Sequence, residues 1–251
     1  MSSAPSAATR LTGYTLLAWA AARRWRSARQ PLVHHAFLHH AHDAGITALP
    51  VTGLLAALLG ATLVTQLTAL AGTDSDLMQR LVFLGLFFEL APLITALIVV
   101  SRSSAAITSE LAVMRLHDDF TALRQLRVPL VDYLFLPRIL ALAVVLPVLT
   151  LIFQVIAVGS GWLAVALLQN LSLNEVAGRF LDLADPLLML ASLGKSALTG
   201  ALIGLIACYH GRAAVASAEA IAKATTQSIG NGLVAVFVID GMFALLIWFV
   251  Q

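Results

Sequence analysis

The sequence predicts an all-α polytopic membrane protein with an N-terminal interfacial helix, about five transmembrane helices and a short cytosolic helix. Hydrophobic residues make up 60% of the chain and charged residues only 11%, whereas soluble domains carry ~25% charged residues. Several apolar runs reach the ~20 residues that a helix needs to cross a bilayer. The single cysteine, Cys208, excludes an internal disulfide and argues against a cysteine-based metal cluster.

Residues 14–45 are predicted to form a helix that lies in the cytoplasmic interface without crossing the membrane. Apolar residues alternate here with arginines and histidines, and Trp19 and Trp25 lie among them. Basic residues together with tryptophan are typical of interfacial helices. Pro31 is expected to break or bend this helix, because proline cannot donate a backbone hydrogen bond.

A group of histidines in this segment raises the alternative of a metal site, because His35 and His39 are one helical turn apart. Asp43 is the carboxylate nearest to them in the sequence, so few further ligands are at hand. We therefore favour an interfacial helix face over a metal site. The histidines concerned are His34, His35, His39, His40 and His42.

Five apolar segments are long enough to cross the membrane. At ~1.5 Å per residue, a helix of about 20 residues spans the ~30 Å hydrocarbon core. No separate soluble domain fits beside these segments, so residues 1–251 are predicted to form a single domain. The predicted spans are residues 46–71, 81–100, 133–168, 187–209 and 232–250.

The longest apolar segment, residues 133–168, fits either one long helix or a hairpin of two. One helix places the basic loop of residues 211–231 on the same side as the basic loop of residues 102–131. A hairpin places them on opposite sides, against the positive-inside rule. One long helix is therefore predicted, with a break expected near Pro147 or at the glycines that follow it.

The same charge bias orients the whole chain. The N-terminus and both basic loops are predicted to be cytoplasmic, the loop of residues 169–186 external, and the C-terminus periplasmic or external. The basic residues fit this orientation, since all of them except Arg80, Arg179 and Lys195 lie at or beyond the cytoplasmic ends of the spans.

Three charged residues lie inside predicted spans: Glu89, Lys195 and Asp240. A charge at this depth is costly and generally faces protein or water, so each is a candidate functional residue. The structural alternative is that Lys195 pairs with Glu89 or Asp240 and fixes the packing of the helices. Glu89 has the stronger claim to function, because Pro92 frees a backbone carbonyl and distorts the helix beside it.

The chain lacks a recognisable catalytic or nucleotide-binding motif. Gly194, Lys195 and Ser196 look like the end of a phosphate-binding loop, but Met189 stands where that loop requires a glycine. We therefore expect no enzymatic activity, no bound cofactor and no nucleic-acid partner. Any ATP hydrolysis is expected in a separate chain.

Residues 109–127 form an amphipathic stretch on the predicted cytosolic side. Their apolar residues recur between charged ones, which indicates a short helix or a helix pair. An ordinary solvated loop fits the pattern equally well. The apolar residues are Leu111, Met114, Phe120, Leu123 and Leu126.

Several short motifs occur in an order that resembles the MlaE/YrbE permease family, the membrane subunits of Mce-linked ABC lipid transporters. The resemblance covers nearly the whole chain from Trp19, and the motifs are specific in combination. The earlier matches are Gln66, Glu89, Leu90, Pro92, Thr95, Ala96, Leu97, Arg102, Glu110, Met114, Pro137 and Arg138. The later matches are Lys195, Ser196, Cys208, Gly211, Ala218, Glu219, Ala224, Thr225, Thr226 and Asp240.

The sequence departs from the family pattern around the second span. Ala91, Ser101, Ser104 and Ala112 replace glycines, and Phe88 stands where some members have an arginine beside the glutamate. These changes bear on how closely the helices approach there and on contact with polar headgroups. They indicate a divergent branch or paralogue with the same fold.

The resemblance implies a single permease domain in the bacterial inner membrane. Such a permease pairs with a second copy of itself and docks on cytosolic ABC ATPases, which bind the ATP. A periplasmic Mce-domain protein and, in some complexes, a small cytosolic accessory subunit complete the assembly. The implied function is to move phospholipid between the inner membrane and the Mce-domain carrier.

Two sets of residues are expected to carry this function. The lipid path is expected to use two polar groups, Gln66 in the outer third of the first span and Glu89 near the middle of the second, and leucines within one helical turn of Gln66. The amphipathic stretch is expected to couple the permease to the ATPase. The lipid-path residues are Leu63, Gln66, Leu67, Leu70, Glu89 and Leu90. The coupling residues are Glu110, Leu111, Met114, Arg115 and Leu123.

Two other functions fit the same residues. A secondary transporter or channel would use Glu89 as a proton or ion site, and a scaffold subunit would have no pathway of its own. Neighbouring genes for an ATPase and an Mce-domain protein would favour the ABC transporter over both alternatives.

Overall fold

A computed structural model of the chain describes residues 7–23, 31–71, 82–169, 186–215 and 217–250. These residues form helices joined by short turns, without a strand among them. We number the helices α1 (Ala7–Arg23), α2 (Pro31–Ala71), α3 (residues 82–116), α4 (Asp119–Gln125), α5 (residues 131–169), α6 (Pro186–Ala213) and α7 (Ala218–Val250).

Five of these helices are long and apolar enough to cross a membrane. The candidate spans are Val33–Leu70, Gly85–Leu116, Val131–Leu168, Leu187–Ala213 and Ala218–Leu246. The prediction of an all-α polytopic membrane protein is therefore confirmed. The apolar segment of residues 133–168 is one helix, as charge bias predicted, whereas most of the predicted external loop of residues 169–186 lies outside the described residues.

The N-terminal region differs from the prediction of one interfacial helix over residues 14–45. Helix α1 ends at Arg23, and α2 begins at Pro31 and continues without interruption to Ala71. Pro31 starts a helix because the first helical position has no intrahelical partner for its N–H and suits the fixed φ of proline. Residues 31–45 therefore form the first turns of the first spanning helix.

Helix α1 is attached to the bundle through its Tyr14 side chain. The Tyr14 hydroxyl lies 2.9 Å from His210 Nε2 on α6, and the Asn231 amide on α7 lies 2.8 Å from the same nitrogen. The Tyr14 ring also packs edge-on against Tyr209. On its exposed side, α1 places the Arg23 guanidinium 5.1 Å from the Trp19 ring centre, a cation–π arrangement suited to a membrane interface.

Helix α3 changes its winding along its length. The segments Val82–Leu90 and Val100–Ser104 are π-helical, and Ala91–Val99 and Ala105–Leu116 are α-helical. The helix therefore continues past the predicted end of the second span at residue 100. Helix α5 begins with a π-helical turn, Val131–Phe135, and is α-helical over Leu136–Gln169. The break expected near Pro147 is absent, since Pro147 lies inside this uninterrupted helical segment, so that prediction was wrong.

Glycines allow three of the spanning helices to pack closely. A side chain at Gly60 of α2 would collide with the backbone of Ala157 on α5, and one at Gly200 of α6 would collide with the backbone of Leu142. Small residues at helix crossings are how membrane helices gain close van der Waals contact. Helices α3, α5 and α6 form the buried body of the bundle, whereas α2 and α7 leave most of their apolar surface exposed.

Candidate functional site

The three charges inside the spans predicted from the sequence, Glu89, Lys195 and Asp240, meet in one cluster between α3, α6 and α7, which we call the central cluster. Lys195 on α6 places its Nζ 3.1 Å from Glu89 Oε2 on α3 and 2.5 Å from Asp240 Oδ1 on α7. The Lys195 side chain is 2% exposed, whereas those of Glu89 and Asp240 are 34% and 19% exposed. The structural pairing considered from the sequence thus involves both carboxylates at once.

Pro92 shapes the backbone beside this cluster. Proline has no N–H, so the carbonyl four residues earlier in an α-helix, or five earlier in a π-helix, lacks its usual donor. These carbonyls belong to Phe88 and Phe87. Lys195 Nζ donates to the Phe88 carbonyl at 3.3 Å, and the Lys195 ammonium also lies 4.8 Å from the centre of the Phe88 ring.

Two further polar side chains, which sequence reasoning missed, bond the Phe87 carbonyl. Gln154 Nε2 on α5 donates to it at 2.9 Å, and Ser192 Oγ on α6 donates at 3.1 Å. Gln154 Nε2 also lies 2.8 Å from Ser192 Oγ. The signal was present in the sequence, because Gln154 is a lone amide within the apolar run of residues 139–159 and a buried amide needs partners.

The charges of the cluster do not cancel. One ammonium faces two carboxylates, so the cluster carries a net negative charge when all three groups are ionised. The ammonium is enclosed by protein, and the carboxylates retain partial access to the surroundings. The cluster can therefore accept hydrogen bonds from a polar group that reaches it, while Lys195 ties α3, α6 and α7 together.

The predicted lipid-path residues fall into two groups. Leu63, Leu67 and Leu90 pack partly buried against one apolar cluster around Trp162. Gln66 and Leu70 lie on the exposed face of α2, with Leu70 85% exposed, so Gln66 does not join the polar network around Glu89.

The predicted coupling stretch is a helix pair. The end of α3 and the short α4 are joined by a turn at His117 and Asp118, where Asp118 has a φ of 59°. Phe120 is buried and packs edge-on against Phe135, which holds α4 on the bundle.

The expectation that Leu111 is exposed to a partner was wrong. Leu111 is fully buried, because Gly211 on α6 leaves room for it. Met114 and Leu123 are partly buried against the same core, and Glu110 and Arg115 are exposed. The apolar residues that this surface does expose are Val113, Leu116 and Leu126, of which Leu126 is 73% exposed.

A second buried cation lies at the basic end of the bundle, which we define by Arg102, Arg115, Arg124, Arg138 and Arg212. Arg138 on α5 is 3% exposed and pairs with the half-exposed Glu110 at 2.7 Å. Its Nη1 donates to the Leu134 carbonyl at 2.6 Å. The pair borders a cavity of about 320 Å³.

The histidines of α2 lie near this end of the bundle. His39 Nδ1 is 2.9 Å from Asp43 Oδ2, and His42 Nδ1 is 3.5 Å from Asp43 Oδ1. Within the described part of the chain, no group of three or more His, Cys, Asp or Glu side chains is arranged to hold a metal ion. The contact formed here is a histidine–carboxylate pair between His39 and Asp43, which are one helical turn apart.

The sequence model of one protein family, 'Permease MlaE', matches residues 37–246 of the chain. This range includes all three charges of the central cluster and Arg138. The chain belongs to the MlaE permease family. It is 27% identical to a probable ABC transporter permease of Rickettsia felis, over 84% of this chain and 82% of that protein. It is 30% identical to a probable ABC transporter permease of Rickettsia typhi, over 77% of this chain and 76% of that protein.

A plant protein is also similar to this MlaE-family permease. The chloroplast protein TRIGALACTOSYLDIACYLGLYCEROL 1 of Arabidopsis thaliana is 30% identical over 61% of this chain and 43% of its own length. The family and the names of the relatives identify an ABC transporter permease, a class that works with a partner ATPase. They favour this function over the secondary transporter or channel and over the scaffold subunit.

Gly194, Lys195 and Ser196 do not form a phosphate-binding loop in this permease. All three lie within α6, where Lys195 is held by Glu89 and Asp240. A phosphate-binding loop requires a strand followed by a glycine-rich turn. This part of the chain therefore offers no site for ATP.

Proposed function

We propose that this permease moves phospholipid between the bacterial inner membrane and a periplasmic Mce-domain carrier, with ATP hydrolysed by a separate cytosolic ATPase. The observation that carries the proposal is the central cluster, in which buried Lys195 holds the partly exposed carboxylates of Glu89 and Asp240 among apolar spans. A lipid path needs an apolar lining with few polar groups, and this arrangement supplies both.

The orientation of the permease follows from its basic end. Positive residues are retained on the cytoplasmic side of a membrane protein. The basic end, with α1, α4 and the first turns of α2, is accordingly cytoplasmic. The C-terminus of α7 is then periplasmic.

A second copy of the chain completes the path in this proposal. Most residues in the apolar windows of α2 and α7 are not buried within the chain, and both helices expose large apolar side chains such as Leu58 on α2 and Phe237 on α7. Two copies related by a two-fold axis enclose an apolar space open to the periplasm, with Glu89 near its floor. Support for a lipid substrate comes from the Arabidopsis relative, whose name is that of a glycerolipid.

Each part of the path has a defined role. Acyl chains contact Leu63, Leu67 and Leu70, and Glu89 contacts a polar group of the lipid or controls closure of the space. Movement of the ATPase reaches the path through α3, since this one helix joins the exposed Leu116 at the cytoplasmic surface to Glu89.

Purification of the complex from native membranes tests the proposal. A tagged permease should bring with it an ATPase and an Mce-domain protein, and mass spectrometry should detect phospholipid at a fixed ratio to the permease. An unrelated five-span protein purified in the same detergent controls for bulk lipid. Recovery of a complex that carries no phospholipid above this control would contradict a lipid substrate.

A further inference from the structure

A cavity of about 320 Å³ lies at the basic end of the bundle, between α2, α3 and α5. It is separate from the central cluster, since Arg102 follows Glu89 by 13 positions, which correspond to roughly 20 Å along a helix at ~1.5 Å per residue. Its ionisable lining residues carry both signs of charge. They are His40 and Asp43 on α2, Arg102 and Glu110 on α3, and Arg138 on α5.

Arg138 places a buried positive charge at the wall of this cavity. Its side chain is 3% exposed, and its Nη atoms donate to Glu110 and to the Leu134 carbonyl. Its Nε, however, has no hydrogen-bond partner among the described residues. This Nε is itself enclosed by protein, so Arg138 acts on the cavity through its positive charge and through the N–H groups of its Nη atoms that Glu110 and Leu134 leave free.

Arg102 brings a second guanidinium to the same cavity. It is exposed, and no ion pair involves it within the described part of the chain. Arg102, Ala106 and Glu110 recur at intervals of four residues and all line the cavity, so this face of α3 presents a cation followed by an anion. Planar guanidinium groups bind phosphate through paired hydrogen bonds.

Two carboxylates, those of Asp43 and Glu110, also line the cavity. Asp43 is exposed and contacts only histidines, His39 and His42, in the ion pairs of the described residues. Glu110 has one oxygen on Arg138 and remains half exposed. Two guanidinium groups beside two carboxylates match a ligand that joins a phosphate to an ammonium group.

The size of the cavity fits a headgroup rather than a whole lipid. Small-molecule sites range from about 300 to 1,000 Å³, and this cavity is at the lower limit. Ile46 and Leu49 are exposed on α2 within two turns of Asp43, and they offer an apolar surface on which acyl chains can lie.

We propose that this cavity binds the headgroup of an aminophospholipid, with its phosphate on Arg102 and Arg138 and its ammonium on Asp43 and Glu110. The lipid comes from the cytoplasmic leaflet, so the chain has a second lipid site below the central cluster. The choice of a phospholipid as the source of the phosphate rests on the proposed function. The pairing of phosphate with amine rests on the lining residues alone.

Protection of a cysteine in the cavity tests the proposal on the full-length chain in detergent. Ala106→Cys is made in a Cys208→Ser background, and its rate of maleimide labelling is measured. The probes are dihexanoyl phosphatidylethanolamine, dihexanoyl phosphatidylglycerol and inorganic phosphate. Ala122→Cys, on the exposed surface of α4 and outside the cavity, is the control for general shielding by lipid.

Phosphatidylethanolamine should slow labelling at residue 106 and leave residue 122 unaffected. Arg102→Gln should raise the concentration needed for protection about tenfold or more, because a charge-assisted phosphate contact is lost. Arg124→Gln, at an exposed arginine of α4 outside this cavity, should leave it unchanged. Asp43→Asn should reduce protection by phosphatidylethanolamine to the weaker level given by phosphatidylglycerol.

Other outcomes overturn the proposal. Equal protection by both lipids would refute recognition of the amine, and equal protection by inorganic phosphate would reduce the cavity to a simple anion site. Protection that survives Arg102→Gln would refute the assigned phosphate contact. The result is independent of the proposed function, since labelling is measured without transport: loss of protection in a complex that still carries lipid refutes this cavity alone.

Discussion

Lys195 and Arg138, the two buried cations among the residues that the structure describes, have different surroundings. Lys195 is enclosed by two carboxylates and a backbone carbonyl, and its partners come from α3 and α7. Arg138 has one carboxylate and one carbonyl, keeps an unmatched Nε, and borders a cavity. The first cation therefore lies between carboxylates of two other helices, whereas the second lies with its single carboxylate at the wall of a cavity.

This difference separates two tasks within one permease. The central cluster fixes the position of the peripheral helix α7 against the buried helices, because Asp240 on α7 pairs with Lys195 on α6. The Arg138–Glu110 pair joins only α5 and α3, and it lies beside the cavity. Substitutions at the first should therefore change stability and transport, and substitutions at the second should change stability less.

The largest effect on stability is expected for Lys195→Met. The substitution leaves Glu89 and Asp240 facing each other without a cation, and removing one partner of a buried ion pair costs ~3–5 kcal/mol. Thermal unfolding of the purified permease should show a clear loss of stability. Lys223→Met, at the other lysine of the chain, is exposed and should have no such effect. Equal unfolding temperatures for the two variants would contradict a structural role for the cluster.

Glu89→Lys should abolish lipid transport while the complex still assembles. The new ammonium lies against Lys195, and Asp240 alone cannot balance both cations. Glu89→Gln keeps the shape of the side chain and should be milder, because Asp240 still pairs with Lys195. Transport by the reconstituted complex is the measurement, with Glu219→Lys at the exposed start of α7 as the control. Wild-type transport by Glu89→Lys would remove Glu89 from the path.

A smaller loss of stability is expected for Glu110→Gln, which removes the anion from Arg138. An unmatched partner costs ~1–3 kcal/mol when it is fully buried, and access from the cavity places this pair at the lower end of that range. Thermal unfolding beside Lys195→Met provides the comparison, with Glu219→Gln as the exposed control. A loss of stability equal to that of Lys195→Met would show that the Arg138–Glu110 pair stabilises the fold as much as the central cluster does.

The smallest effect is expected for Leu126→Asp, which should weaken binding of the ATPase without unfolding the permease. Leu126 is 73% exposed and lies beside α4 at the basic end. An apolar interface residue that contributes to binding is worth ~1 kcal/mol or more. Val215→Asp, an exposed apolar residue in the turn between α6 and α7, is the matched control. Affinity for the purified ATPase is measured, and equal affinity of both variants would place docking elsewhere.

Much of the fold could be predicted from the sequence, because apolar length and charge bias are local signals. The single long helix α5 and the three intramembrane charges followed directly from them. The start of α2 was misplaced because proline at a helix start and proline at a break look alike in a sequence. The basic residues and histidines of residues 31–45 suggested an interfacial helix, although this segment is continuous with the first spanning helix.

The candidate site was only half predictable. Glu89, Lys195 and Asp240 stood out because charges are rare in spans, but their meeting depends on how α3, α6 and α7 pack. Leu111 looked like its amphipathic neighbours, and its burial follows from the absence of a side chain at Gly211, 100 residues away. Contacts of this kind arise from tertiary packing and leave no local pattern.

Photo-crosslinking from the proposed lipid path tests the central proposal most directly. A photoreactive amino acid is placed at residue 67, 70 or 246 in the reconstituted complex, and crosslinked phospholipid is measured with and without ATP. Residues 67 and 70 should yield lipid adducts whose amount changes with ATP turnover. Residue 246, at an exposed position of α7, should show a yield that ATP does not alter. Yields that are independent of ATP at all three residues would show that phospholipid does not pass along α2.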